Sequence, residues 1–155
     1  MIIKSSAFIN NGQLPEKYTC LGENISPPIQ IEEVPVNTQS FVLIFLDRDT
    51  EPKAFVHWLV YNIPADVKAI EENSIPATAV EGKRTDKKIG YKGPCPKEFA
   101  DEHQCAFTVY ALNTMLTLKG KPGTTEIIEA MTEHILATAE LIVDVNGTQA
   151  VPIHI

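Results

Sequence analysis

The order of apolar and polar positions divides the chain into short segments. Ser40 to Leu46 (SFVLIFL) is apolar without alternation, the pattern of a strand buried on both faces. Phe55 to Ile63 (FVHWLVYNI) is rich in aromatic and β-branched residues and predicts a second strand. Cys105 to Leu112 (CAFTVYAL) predicts a third. Leu141 to Val145 and Val151 to Ile155 flank Asn146-Gly147, a tight-turn signal, and read as a terminal pair. Asn10-Asn11-Gly12 predicts an early turn, and Ser26-Pro27-Pro28 breaks the backbone before Ile29-Gln30-Ile31. One helix is predicted, from Thr124 to Leu141. Gly120-Lys121-Pro122-Gly123 breaks the chain ahead of it, Thr124 can cap it, and Glu126 and Glu129 sit where the helix dipole favours negative charge. Ile128, Met131, Ile135 and Ile142 give it an apolar stripe, read as core packing, with His134 beside the stripe as a packed or capping residue.

Many short strands, frequent turn residues and few helices predict a mainly β fold, a two-sheet antiparallel β-sandwich with a C-terminal helix. The 155 residues suit a single domain, 1–155. The irregular stretch from Pro64 to Phe99 is long for a compact domain, and such stretches carry function or wrap the sheet.

Composition narrows the function classes. An apolar fraction of 44% with 21% charged residues is that of a soluble globular protein. A formal net charge of −7 argues against nucleic-acid binding and against adsorption to anionic membranes. The longest apolar run, Phe41 to Leu46, is too short for membrane insertion. A pocket for one anion stays open, because local donors outweigh a distant, screened field. Cys20, Cys95 and Cys105 show no zinc or redox spacing; their odd number and the lack of a leader in Met1 to Ser6 predict three reduced thiols and a cytoplasmic protein. In such a protein the sequon Asn146-Gly147-Thr148 is a turn and not a glycosylation site.

Candidate chemistry gathers at strand ends. Asp47 and Asp49 follow SFVLIFL, His57 lies inside FVHWLVYNI, and His103 precedes CAFTVYAL. Between them runs Gly90-Tyr91-Lys92-Gly93-Pro94-Cys95-Pro96, where glycine permits close backbone approach and proline stiffens the loop. Two histidines, carboxylates to hold their tautomers and exposed backbone amides suit a small anion. Each residue also has a plain reading: turn aspartates, a core histidine, a solvated histidine beside Asp101 and Glu102, a rigid crossover. The same histidines and aspartates could hold a metal, and Cys95 or Cys105 could serve a hydrolase, but neither has the usual spacing. An interaction protein without a pocket is also compatible with the composition.

Five motifs in order resemble the phosphatidylethanolamine-binding protein family, more narrowly its bacterial and archaeal Raf-kinase-inhibitor-like branch. They are Lys17-Tyr18-Thr19-Cys20-Leu21-Gly22-Glu23-Asn24-Ile25-Ser26-Pro27-Pro28; Asp47-Arg48-Asp49-Thr50-Glu51, where the family has Asp-Pro-Asp-Ala-Pro; His57-Trp58 with Asn62-Ile63-Pro64; the loop Gly90 to Pro96; and His103 with Phe107-Thr108-Val109-Tyr110-Ala111-Leu112. The resemblance implies a Greek-key sandwich with a pocket at one end. Asp47 and His57 would line that pocket, the Gly93-Pro94 backbone would form a rim, and His103 would close it. The implied ligand is a small anion such as phosphate, acetate or a phospholipid head group. No catalysis, cofactor or metal is implied. A kinase or protease partner is, and a homodimer is left open. The chain departs from the family at Arg48, Thr50 and Glu51, and at Gln104-Cys105, where the family has Arg-Tyr and so a further hydroxyl donor. Both histidines are expected to point into one cavity, with Asp47 orienting a ring nitrogen. Strand parity puts His57 on one face with Leu59 and Tyr61, opposite Trp58, Val60 and Asn62. Anion affinity is then expected to rise as pH falls through about 6.5.

Overall fold

A computed structural model describes residues 1–147; the expected strand Val151 to Ile155 lies outside the described residues. Two sheets form. The small one pairs β1 (Ile2–Lys4), β3 (Ile29–Glu32) and β6 (Ala69–Ile70), with β3 in the middle. The large one has β2 (Gly12–Gln13), β4 (Ser40–Asp47), β5 (Phe55–Pro64), β7 (Val80–Glu81), β8 (His103–Leu112) and β9 (Ile135–Val145), in the order β2-β9-β8-β4-β5-β7. All pairs are antiparallel except β2 with β9. The hairpin β4–β5 is followed by the irregular stretch, and the chain then returns as β8 on the other side of β4, a Greek-key step.

The apolar pattern explains this layering. In β4, Phe41, Leu43 and Phe45 face the small sheet and meet Ile3, Ile29, Ile31 and Ile70 in the main core. Val42 and Ile44 face the other way, where Leu112, Leu116, Ile127 and Met131 cover them. The strand is therefore buried on both faces, as its unbroken apolar run predicts.

The helix is shorter than its sequence stripe suggested. α1 spans Thr124–Met131, and the segment beyond it becomes β9. Ile127 and Met131 are buried, whereas Ile128 and Ile135 stand 45% and 40% exposed. The stripe mistook a two-residue period for a helical one. Ala137, Ala139, Leu141, Val143 and Val145 alternate onto the core face, with Glu140 and Asp144 turned away. Pairing along the whole of β8, from His103↔Val145 to Leu112↔Ile135, satisfies a ladder that a longer helix would leave open. Nor does Thr124 cap α1: the capping position is Gly123, whose N–H donates to the Glu126 carboxylate at 3.0 Å. His134 does fill a bonded role, its Nδ1 lying 2.8 Å from Asn113 Oδ1.

The prediction of three thiols is overturned. Cys20 and Cys95, 75 residues apart in sequence, form a disulfide with Cα atoms 5.0 Å apart, and Cys105 is the free, buried thiol. Sequence spacing could not reveal this pair, because the fold brings together two loops that are distant in the chain. The bond joins the 3-10 turn Glu16–Tyr18 and its exit to the glycine-proline loop. With it goes the thiol argument for a cytoplasmic location. Among the described residues no helix is long and apolar enough to cross a membrane.

Candidate functional site

A cavity of about 120 Å³ opens at the end of the large sheet. Asp47 and Thr50 enter it from the end of β4, Phe55 and His57 from β5, Lys92, Gly93 and Cys95 from the loop, and Glu98 and Phe99 from the 3-10 turn Pro96–Glu98 and its exit.

A bulge aims His57. Phe45 pairs with Trp58 and Leu46 with Val56, so His57 is the extra residue between them. Strand parity fails at this step. Leu59 and Tyr61 pack on the α1 side, while His57 lies with Trp58 on the main-core side, 5.6 Å from the Phe45 ring and 4.8 Å from the Phe55 ring. Its Nδ1 lies 2.7 Å from the Lys92 carbonyl oxygen. A carbonyl only accepts, so Nδ1 carries the hydrogen and Nε2 of the neutral ring keeps its lone pair. Burial pushes the imidazole down to about 4, against the opposing pull of the Lys92 carbonyl and Asp47.

Asp47 orients His103 and not His57. Asp47 is fully buried; its Oδ2 lies 2.6 Å from His103 Nδ1, and its Oδ1 accepts the Asp49 N–H at 2.8 Å. His103 does not line the cavity. It stands behind Asp47 with its ring stacked 3.7 Å from that of Phe99, which forms part of the wall. The two histidines thus act on one space differently, His57 directly and His103 through Asp47 and Phe99.

The glycine-proline loop has a different role from the one its composition suggested. The Gly93 N–H donates to Asn24 Oδ1 at 2.7 Å, and the Pro94 carbonyl accepts from the Cys20 N–H at 3.1 Å. The Gly93 N–H is therefore not free for a ligand; Gly93 lines the cavity and Pro94 does not. Gly93 is required by close packing: a Cβ there would lie 2.1 Å from the Tyr18 carbonyl oxygen.

Sequence reasoning missed Lys92, Phe55, Glu98 and Phe99. Lys92 lies within the Gly90 to Pro96 motif, and its cationic type is a usable signal; the other three carry none in one sequence. Of the residues that depart from the family pattern, Thr50 lines the cavity, while Arg48, Glu51 and Gln104 are not among its lining residues and Cys105 is buried in the core. Arg48 pairs with Glu140 and donates to Gln104 Oε1 at 3.1 Å, and the Gln104 N–H donates to Asp49 Oδ2 at 2.7 Å. Cys105 is buried, and burial pushes its thiol well above the ordinary range, which removes it as a nucleophile. Cys95 is spent in the disulfide. Among the described residues no three histidine, cysteine or carboxylate side chains converge in a way that could hold a metal ion.

In chemical terms the cavity is rich in acceptors. Asp47, Glu98 and His57 Nε2 accept, while Lys92 and the Thr50 hydroxyl donate.

Comparison with known proteins gives the family and the fold. The model of the family described as phosphatidylethanolamine-binding protein matches residues 4–146. A UPF0098 protein of Methanothermobacter thermautotrophicus is 40% identical over 147 residues, covering 92% of this chain and 96% of the relative. One from Chlamydia trachomatis is 38% identical, covering 91% and 95%. Among solved structures, the phosphatidylethanolamine-binding-protein homologue CT736 of Chlamydia trachomatis superposes with a TM-score of 0.86 at 36% identity, over 92% of this chain and 95% of that one. Escherichia coli YbcL, described as a member of the mammalian family, superposes with a TM-score of 0.85 at 26% identity, over 93% and 96%. The chain belongs to the phosphatidylethanolamine-binding protein family.

Proposed function

We propose that the cavity binds a small phosphorylated or otherwise anionic molecule without chemical turnover, and that occupancy is read by a partner protein. The observation that carries this reading is His57, buried, fixed through Nδ1 and left with Nε2 in a cavity beside Lys92. The space is below the ~300 Å³ at which drug-sized pockets begin, so it suits a head group and not an acyl chain. Phosphate in its monoprotonated form fits the donor balance: its P–OH donates to Nε2 or Asp47, and its anionic oxygens face Lys92. A constantly charged anion such as sulfate must instead bring a proton onto His57.

Calorimetric titration with sulfate tests this. Affinity should rise as pH falls from 6.5 towards 4, by up to about tenfold per unit, because binding takes up one proton. His57→Ala should weaken binding at least about tenfold, the value of one charge-assisted hydrogen bond. Saturable binding indifferent to both pH and His57→Ala would refute the assignment.

A further inference from the structure

The hairpin end of the large sheet carries a second, larger cleft of about 480 Å³ on its opposite face. Leu46 and Val56, which pair with each other, form part of its floor; the next pair outward, Asp47 with Phe55, belongs to the histidine cavity. Four lysines surround the floor: Lys53 from the β4–β5 turn, Lys83 and Lys87 from the segment after β7, and Lys121 ahead of α1. Glu126 is the one carboxylate among the lining residues, and it is held by the Gly123 N–H.

This placement runs against the charge of the molecule. The chain has a net charge of −7, yet four of its thirteen cationic side chains meet here, and none of the four makes a salt bridge among the described residues. A fifth, Arg84, is committed: its Nε and Nη2 each lie 3.0 Å from an Asp86 oxygen, and Nη1 donates to the Gly90 carbonyl at 3.1 Å. Four ammonium groups around a single carboxylate leave an excess of positive charge, whose mutual repulsion costs free energy that an anionic ligand can recover.

The backbone makes the cleft a built feature. The Lys83 N–H donates to the Pro122 carbonyl at 2.8 Å, tying the lysine segment to the approach to α1. The Thr85 N–H donates to the Val56 carbonyl at 3.3 Å, and the Val56 N–H returns a bond to Thr85 Oγ1 at 2.7 Å, tying it to β5. The entrance of α1, with Thr124 and Thr125 in the wall, adds the positive end of the helix dipole.

We infer that this lysine cleft is a binding site for a compact polyanion, a small molecule bearing two or more phosphoryl groups. One phosphoryl group would leave ammonium charges unmatched. An extended polyanion, whether nucleic acid or membrane, would run beyond the four lysines along a chain whose net charge is −7, whereas a compact one stays within the ~8–10 Å reach of the local field. Lysine, a compact point charge, suits phosphoryl oxygens presented from several directions.

Calorimetric titration of the full chain with inorganic tripolyphosphate at pH 7.5 tests the inference. One saturable site is expected, at least tenfold tighter than for orthophosphate. The double change Lys83→Gln/Lys121→Gln should weaken it at least tenfold. The control Lys4→Gln/Lys68→Gln, which removes equal charge elsewhere, should change it less than twofold, as should His57→Gln. ATP bound more than tenfold tighter than tripolyphosphate would identify a nucleotide as the source of the phosphoryl groups. Equal affinities would identify the phosphate chain itself, and both results uphold the site. Absence of saturable binding, an equal loss in the Lys4/Lys68 control, or loss on His57→Gln would each overturn it.

Discussion

The two recesses at the hairpin end differ in how they are prepared for charge. In the histidine cavity almost every polar group already has a protein partner: His57 with the Lys92 carbonyl, Asp47 with His103 and Asp49, Gly93 with Asn24. On the other face, Lys53, Lys83, Lys87 and Lys121 have none of these constraints. On the proposed readings, the first site, short of donors, would select through protons and geometry, and the second, over-supplied with cations, would bind by Coulombic attraction. Perturbations should separate the two.

The largest separation should come from the disulfide. Cys95 lines the histidine cavity, and the bond closes a loop of 75 residues. On chain-entropy grounds its loss should lower stability by about 4 kcal/mol. Cys20→Ser/Cys95→Ser should shift the denaturant midpoint accordingly and weaken sulfate binding in the cavity, leaving tripolyphosphate binding in the lysine cleft as it was. An unchanged midpoint would mean that no Cys20–Cys95 bond constrains the unfolded chain.

His57 should give the next largest effect. Its pKa is about 4 in the fold, against about 6.5 for a free histidine. Between these values the unfolded chain binds a proton that the folded chain refuses, so stability falls as pH falls. The contribution is complete above pH 6.5 and is lost towards pH 4, with an amplitude of about 3 kcal/mol. Urea titrations at pH 7 and 4.5 should show this excess loss in the wild type and not in His57→Gln. Saturating sulfate should flatten the wild-type slope, because the bound anion favours the protonated ring. Parallel pH profiles for the two proteins would show that His57 takes up its proton at the same pH in the folded and the unfolded chain.

That expectation also shows how far the sequence could be read. SFVLIFL, FVHWLVYNI and CAFTVYAL declared their strands because burial on both faces leaves few polar interruptions. Asp47 and His57 were legible as polar exceptions at the ends of those strands. The orientation of His57 was not, because a one-residue bulge reverses parity without leaving any mark in composition. The segment Ile135–Val145 misled for a related reason: its inward residues begin with Ala137 and Ala139, too small to declare a two-residue period. The Cys20–Cys95 bond depends on a contact between distant loops. The lysine cleft depends on residues from three separate segments, and only the fold brings their charges together.

The smallest effect, and the most direct measure of the contrast, is salt. Raising sodium chloride from about 50 to 200 mM shortens the Debye length, which is ~10 Å at 0.1 M, and screens exposed charges strongly but buried ones weakly. Lys53, Lys87 and Lys121 are exposed and Lys83 is half-buried, so added ions should compete directly for the cleft. Tripolyphosphate affinity should fall about tenfold over that range, worth about 1.4 kcal/mol. His57 is only 6% exposed, so the proposed bond from it to an anion should be screened less than contacts with exposed lysines. Sulfate affinity at pH 5 should therefore fall less than threefold. Perchlorate in place of chloride guards against a chloride-specific effect. Equal salt slopes for the two ligands would mean that both anions are held by the same kind of exposed charge, and the division between a proton-gated cavity and a Coulombic cleft would fail.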